Sequence, residues 1–367
     1  MFSKLSYLRD LIAYNSLGLE DKQITIYSEN SNYWPHLENL MREFLLQSKR
    51  GVCFVSSSKE DRGLKVNHPK LKTFVIGAGK CREIFFKQLK TEMLIMTMPD
   101  LDNYQIKRSN YNVHYVYTQH SLNSLHMAYR EKAFNNFDTI LCAGSHHERE
   151  ILEIEKIYTL KPVNKLRYRY EPPFRLKEIL NSKQEKELVE KKNILIAPTW
   201  GVNGLIESGL AQELIESCLV LGFSVKLRPH PETIKHNSGK INKLKDIFNA
   251  SGEFSVENGV ADFYSLLDSS LLITDWSGVA FDFALGLSRP VIFVDCLPKV
   301  NNEKYKKISI EPIESRCRDL LGVKLSVPEI PKFLSSDQLT NFIPKVTFED
   351  FYDNSANNVV SELLDII

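Results

Sequence analysis

The sequence predicts an α/β protein built in two parts, each with a mostly parallel sheet covered by helices. Three observations lead there. Short apolar runs alternate with runs of helical spacing through the first half, which is the pattern of parallel strands joined by crossover helices. A charged, apolar-poor stretch, Glu178–Lys192, then interrupts the pattern before it restarts. The third is Leu271–Asp295, reading LLITDWSGVAFDFALGLSRPVIFVD, a strand–turn–helix–strand unit in one continuous piece.

In the first half, Ile24–Tyr27, Val52–Ser56, Phe74–Ile76, Leu94–Thr97, His114–Tyr117 and Thr139–Cys142 are read as strands. They are short apolar runs, too brief for helices and rich in β-branched and aromatic residues. Trp34–Gln47, Cys81–Lys90 and Leu122–Phe134 are the helices between them. The second half gives strand Ile194–Ala197, helix Leu205–Leu221, strand Ser224–Leu227, helix Lys240–Asn249 and then Leu266–Val294. From Pro298 the chain is polar and less regular, and a last helix starts at Asn354-Ser355, a capping pair, and runs to Ile366. The expected division is a first domain over 1–177, a linker over 178–192, a second domain over 193–345 and a closing helix within 346–367. Two similar α/β halves joined by a linker put a ligand cleft between them.

A chain of 367 residues, 43% hydrophobic and 25% charged, suits two globular domains, each able to bury its own core. The formal charge of +1 argues against nucleic acid as a partner. Six cysteines, Cys53, Cys81, Cys142, Cys218, Cys296 and Cys317, are scattered without a Cys-x-x-Cys pair, so reduced thiols are expected rather than zinc or disulfides. The start of the chain lacks a signal peptide's unbroken apolar core, and no run reaches membrane-spanning length. The expectation is a cytoplasmic protein, at most peripheral to the inner membrane surface.

Chemistry concentrates at strand ends. Thr274-Asp275-Trp276-Ser277-Gly278 turns from a buried strand into a helix, and a hydroxyl beside free N–H groups at the positive end of a helix suits phosphate. Gly278 would let a ligand approach the backbone closely. Arg228-Pro229-His230-Pro231 follows strand Ser224–Leu227, and its two prolines hold Arg228 and His230 at the strand's carboxyl end. There Arg offers a planar fork to phosphate and His a proton. Ala197-Pro198-Thr199-Trp200-Gly201 adds a hydroxyl at another strand end. In the first half, His120 follows strand His114–Tyr117 and could take a proton from an acceptor hydroxyl. Asp100 and Asp102, at the preceding strand's end, are the alternative base.

Three further features carry blander readings. Lys156–Lys177 holds Lys156, Lys161, Lys165, Arg167, Arg169, Arg175 and Lys177 against one acid, Glu171, with Tyr158, Tyr168 and Tyr170 interleaved. It is a solvated face or a patch for an anionic polymer or acidic membrane. His146-His147 with Glu150 matches no standard zinc spacing, and no metal is expected. Gly77-Ala78-Gly79-Lys80 lacks the spacing of a phosphate loop and reads as a strand–helix turn.

Taken together, Ala197–Trp200, Arg228–Pro231 and Thr274–Ser277, continued by Phe281-Asp282-Phe283 and Arg289–Ile292, resemble the CDP-glycerol glycerophosphotransferase family, whose members build teichoic-acid-like polymers. Gln119-His120-Ser121-Leu122 stands where that family has Trp-His-Gly-Thr-Pro-Leu, and Ser277-Gly278 stands where it has paired serines. The resemblance implies a GT-B fold of two Rossmann-like domains facing each other across a cleft, with the nucleotide held mainly by the second. It implies that His120 and His230 are catalytic and that Thr199, Arg228, His230, Pro231, Asp275, Ser277, Gly278 and Asp282 line the donor site. The donor would be a cytidine nucleotide such as CDP-glycerol, taken as substrate with no cofactor or metal. The acceptor would be a surface polysaccharide or lipid-linked, teichoic-acid-like polymer. The alternative is a CMP-sugar transferase of the Kdo or sialic acid type on the same fold, with Asp100 or Asp102 as base.

Overall fold

In the computed structural model, described for residues 2–104, 106–167, 193–257, 264–336, 344–346 and 358–367, two parallel sheets carry the architecture. The first has the order β3-β2-β1-β4-β5-β6-β7. Its strands are β1 (Ile24–Ser28), β2 (Val52–Ser56), β3 (Leu71–Val75), β4 (Met93–Met96), β5 (His114–Thr118), β6 (Thr139–Cys142) and β7 (Asn164–Arg167). The second has the order β10-β9-β8-β11-β12-β13. It comprises β8 (Asn193–Ile196), β9 (Ser224–Leu227), β10 (Phe254–Val256), β11 (Leu271–Thr274), β12 (Val291–Val294) and β13 (Gly322–Leu325). Every pairing is parallel, with β1 in register Ile24↔Val52 and Ile24↔Met93, and β8 in register Ile194↔Leu271. The central strands ITIYS, VCFVS, MLIM, LLIT and VIFV are buried at every position, as strands covered on both faces must be.

Each sheet reverses its strand order once, between β1 and β4 in the first and between β8 and β11 in the second. Such a reversal splays the flanking connections to opposite faces and opens a crevice at the carboxyl ends of the two strands. Both candidate sites begin there.

The helices of the first sheet are α1 (Phe2–Asn15), α2 (Trp34–Gln47), α3 (Lys80–Gln88) and α4 (Ser145–Tyr158). Leu11, Tyr14, Phe85 and Phe86 fill the core on one face, and Trp34, Leu37, Leu40, Met41 and Phe44 fill it on the other. In the second part come α5 (Leu205–Ser208), α6 (Leu210–Val220), α7 (Pro231–His236), α8 (Ser238–Ile247), α9 (Tyr264–Asp268), α10 (Val279–Leu287), α11 (Ile313–Arg316), α12 (Arg318–Leu321) and α13 (Ile330–Leu334). The final helix, α14 (Val359–Leu364), buries Val359, Val360 and Leu363 in the same core as α2.

Several elements depart from the sequence expectation. Leu122–Phe134 forms turns instead of a helix. Side chains of α4 occupy the main-chain groups that helix would have used: His146 Nε2 bonds the Leu122 carbonyl, His147 Nε2 the Asn123 carbonyl, and Glu150 accepts the Leu125 N–H. Helix α4 was not among the expected helices; its buried face is mostly polar, His146, His147, Glu150 and Glu155 beside Ile151. The expected single helix Leu205–Leu221 is broken at Gly209, whose φ of 90° ends α5 and starts α6. The last helix is capped by Asn358, whose side chain accepts the Ser361 N–H at 3.2 Å; the expected cap at Asn354-Ser355 lies outside the described residues.

The described chain divides into two compact units. The first takes residues up to 167, together with Asn302–Ile310 and 358–367; the second takes 193 to Asn301 and resumes at Glu311. The second unit is therefore discontinuous, where the sequence suggested one run from 193 to 345. Asn302–Ile310 is tied to the first by Asn302 Nδ2 on the His126 carbonyl at 2.9 Å, by His126 Nε2 with the Ile310 carbonyl at 3.0 Å and by Lys304 on Glu131 at 2.8 Å. The expected linker 178–192 lies outside the described residues. Among the described residues no helix is long and apolar enough to cross a membrane.

Candidate active site

In the first unit His120 sits just past β5, with its ring at the reversal between β1 and β4. A ring N–H donates to the Thr97 carbonyl at the end of β4. Nδ1 lies 3.4 Å from the Tyr117 hydroxyl, and Tyr33, His36 and Tyr129 surround the imidazole edge-on at 5.7, 6.1 and 6.0 Å between ring centroids. Tyr33 caps α2 after β1 and His36 lies in the first turn of that helix, so the ends of β1, β4 and β5 meet around one imidazole. The residue keeps part of its surface accessible, yet the aromatic crowding penalises the charged form and pushes its pKa down to about 4; the Thr97 bond opposes this only in part. The imidazole is thus neutral at physiological pH, with Nδ1 in long contact with the Tyr117 hydroxyl.

The carboxylates near it are differently placed. Asp100 and Asp102 both have left-handed backbones, φ 64° and 60°. Asp100 accepts from Arg130 at 3.1 Å, and burial pushes its pKa up against the pull of that guanidinium. Asp102 is turned to the surface, accepting the Arg108 N–H at 3.4 Å with Lys107 at 4.0 Å. Neither carboxylate has a bond to His120 among the described residues. The loop that follows His120 is pinned by α4: besides the three main-chain bonds above, Glu150 Oε2 lies 3.1 Å from His126 Nδ1, both side chains being 1% exposed. His146 and His147 spend their Nε2 atoms on carbonyls, and no cluster of three or more potential metal ligands occurs among the described residues.

In the second unit the reversal between β8 and β11 brings Thr199 and Trp200 beside Asp275–Ser277. Asp275 is fully buried and accepts three main-chain N–H groups: Thr199 at 2.7 Å, Trp276 at 2.6 Å and Leu205 at 3.2 Å. Enclosure pushes its pKa up while those bonds pull it back. An enclosed carboxylate with both oxygens occupied by main-chain N–H groups shapes the loop, a different employment from the donor contact expected of it.

Arg228 is likewise engaged by the protein itself. It is 2% exposed and closed on Glu257, Nε to Oε2 at 2.5 Å and NH2 to Oε1 at 3.2 Å, with the Ser265 hydroxyl as a further partner. Its guanidinium ties the end of β9 to the segment beyond β10 and to α9. The sequence could not show this because Glu257 lies 29 positions away.

His230 follows the carboxyl end of β9. It caps α7, and its Nδ1 accepts the Glu232 N–H at 3.1 Å. In the neutral imidazole the proton is then on Nε2. Pro231 occupies the first turn of α7, where its missing N–H costs nothing. Ser277 and Gly278 lead into α10 with no side-chain cap on its first turn; Gly278 has φ −63°, so the backbone there requires no glycine. Asp282 lies in the first turn of that helix and is half-buried.

Two features of this site are not predictable from the sequence. Trp200 packs 6.0 Å from the His230 ring, and Lys299, in the loop after β12, places Nζ 4.5 Å over the Trp200 ring and 3.0 Å from the Thr199 hydroxyl. The only sequence signal for Lys299 is its place shortly after a strand's carboxyl end. In the first unit, Tyr33, Tyr117 and Tyr129 around His120 carry no signal at all.

Known proteins share both sequence and fold with the chain. It resembles a teichoic acid poly(glycerol phosphate) polymerase of Bacillus spizizenii, 33% identical over 191 residues, covering 48% of this chain and 45% of that protein. The match thus spans about half the length of that relative. In three dimensions the chain is similar to the wall teichoic acid polymerase TagF, with TM-score 0.55 and 14% identity over 99% of this chain and 92% of that one. It is also similar to the UDP-GlcNAc 2-epimerase of Methanocaldococcus jannaschii, with TM-score 0.57 and 11% identity over 93% and 99% of the two chains. At such identities these structures establish the fold, which is GT-B. Residues 15–305 match the family described as CDP-Glycerol:Poly(glycerophosphate) glycerophosphotransferase, and the chain belongs to that family.

Proposed function

We propose that the protein transfers glycerol phosphate, or a related polyol phosphate, from a CDP-alcohol to a teichoic-acid-like or other surface polysaccharide acceptor. The observation that carries the reading is the place of His230, which caps α7 just past the carboxyl end of β9, with its ring beside Trp200 near the reversal in the second sheet. His120 supports it as a neutral imidazole past β5, beside the reversal in the first sheet.

In this reading His120 takes the proton of an acceptor hydroxyl, and that oxygen attacks the β-phosphorus of the donor. The new O–P bond replaces the bond to the bridging oxygen, which leaves with its electron pair on CMP. His230 Nε2–H and the uncapped first turn of α10 at Ser277 stabilise the charge on the phosphates, since positioning and electrostatics dominate phosphoryl transfer. No step is assigned to a metal ion. The acceptor would be met at the cytoplasmic face of the membrane, with the enzyme peripheral to it.

The test is CMP release from CDP-glycerol with a polymeric acceptor. His230→Asn keeps a good helix cap but moves the donor, so turnover should fall at least about a hundredfold with little loss of stability. Near-normal turnover in that variant overturns the reading. His120→Ala should be far more damaging than Asp100→Asn, because Asp100 is engaged by Arg130. The reverse order, with release from CMP-sugars, would establish a glycosyltransferase with a carboxylate base instead.

A further inference from the structure

With Arg228 committed to Glu257, the donor's diphosphate lacks its expected cation. Two other arginines of the second unit lie near the sheet, and each is otherwise employed. Arg318 is buried, donating to the main-chain carbonyls of Asp275 and Val294, and lies 4.2 Å from the Trp276 ring centroid. Arg289 caps the carbonyls of Leu266, Leu267 and Ser269.

Lys299 is in a different situation. It lies at the carboxyl edge of the sheet, within reach of the loops after β8 and β11, and its close partners are uncharged: the Thr199 hydroxyl at 3.0 Å and the Trp200 ring at 4.5 Å. Among the described residues it makes no ion pair within 4 Å. Thr199 is in turn held by its N–H on Asp275, and Trp200 also borders the His230 ring, so one loop holds the ammonium on the same side as His230.

We propose that Lys299 is a donor-binding residue, placing its ammonium on the phosphates of the nucleotide diphosphate beside His230. The inference rests on the nucleotide-donor reading above and adds the cation which that reading otherwise lacks. Its surroundings are consistent with a charge awaiting a partner. Burial pushes its pKa down to about 8, while Asp275 at the end of β11, Glu207 on α5 and Glu232 on α7 pull it back up. A diphosphate arriving within contact distance would favour the protonated form, so binding above pH 8 should draw in a proton.

The experiment measures binding of CDP-glycerol, UDP, inorganic pyrophosphate and cytidine to the full chain and to Lys299→Gln and Lys299→Arg, by calorimetry in two buffers of different ionisation heat. The expected result is a loss of at least about tenfold in affinity for diphosphate ligands in Lys299→Gln, with cytidine nearly unaffected. Lys299→Arg should recover most of that loss, and proton uptake at pH 8.5 should vanish in Lys299→Gln. Unchanged diphosphate affinity overturns the proposal. An equal loss for cytidine overturns it too, because the role would then be structural. Wild-type protein that binds no diphosphate ligand leaves no site for the ammonium to serve and overturns it likewise. Binding of UDP or pyrophosphate but not CDP-glycerol defeats the CDP-alcohol reading alone; a Lys299→Gln loss on those ligands still supports the assignment of Lys299.

Discussion

Arg228 and Glu257 form a closed pair, Nε to Oε2 and NH2 to Oε1, in which the guanidinium is 2% and the carboxylate 18% exposed. Removing one partner of such a pair strands a charge in a low-dielectric setting, which typically costs about 3 kcal/mol or more. Arg228→Met and Glu257→Gln should each lower the unfolding free energy from urea titration by that order, and the double variant should recover part of the loss. If Arg228→Met is as stable as wild type and loses only donor affinity, Arg228 belongs on the ligand and its structural role is refuted.

The low pKa of His120 has a stability signature with a definite sign. Unfolded, the imidazole titrates at about its model value of 6.5; folded, at about 4. Between those values the unfolded chain binds the proton and the folded one does not, so stability falls as pH drops from 6.5 toward 4 and is unaffected above that window. The slope reaches about 1.4 kcal/mol per pH unit for one such group. His114 and His147 are also held below their ordinary values by burial and act in the same direction. The informative quantity is therefore the difference between wild type and His120→Gln at pH 7 and pH 5, where the variant should lose less stability. Parallel losses would show that the ring is not held neutral.

The loop after His120 depends on α4. Glu150→Ala removes the acceptor of the Leu125 N–H and the partner of His126, both enclosed. A loss of about 3 kcal/mol follows from leaving those groups unsatisfied. Hydrogen exchange at Leu125 should accelerate well beyond what global unfolding explains, and turnover should fall as His120 loses its placement. Retained protection at Leu125 would show that the loop stands without α4.

Local order was legible where strands are buried on both faces. Runs such as VCFVS, TILC and LLIT allow no other reading at their length, and the helices Trp34–Gln47 and Val279–Leu287 end where the spacing ends. Strand-end motifs also placed His120, His230 and Ser277 correctly on their sheets, because a parallel strand delivers its carboxyl end to the ligand side by topology alone. The region Leu122–Phe134 was not legible, since its main chain is claimed by His146, His147 and Glu150 on a helix whose buried face is polar.

Whether a side chain is available to a ligand was decided by tertiary structure. Arg228 and Asp275 look like ligand groups in sequence and are consumed by Glu257 and by the N–H groups of Thr199, Trp276 and Leu205. Lys299 has no motif, yet it stands over Trp200. The sequence by itself determined the fold class, the family and the positions from which chemistry is presented, because hydrophobic period and strand-end motifs are local. Which charges are neutralised, buried or left available depends on partners tens of residues away, and only packing brings those together.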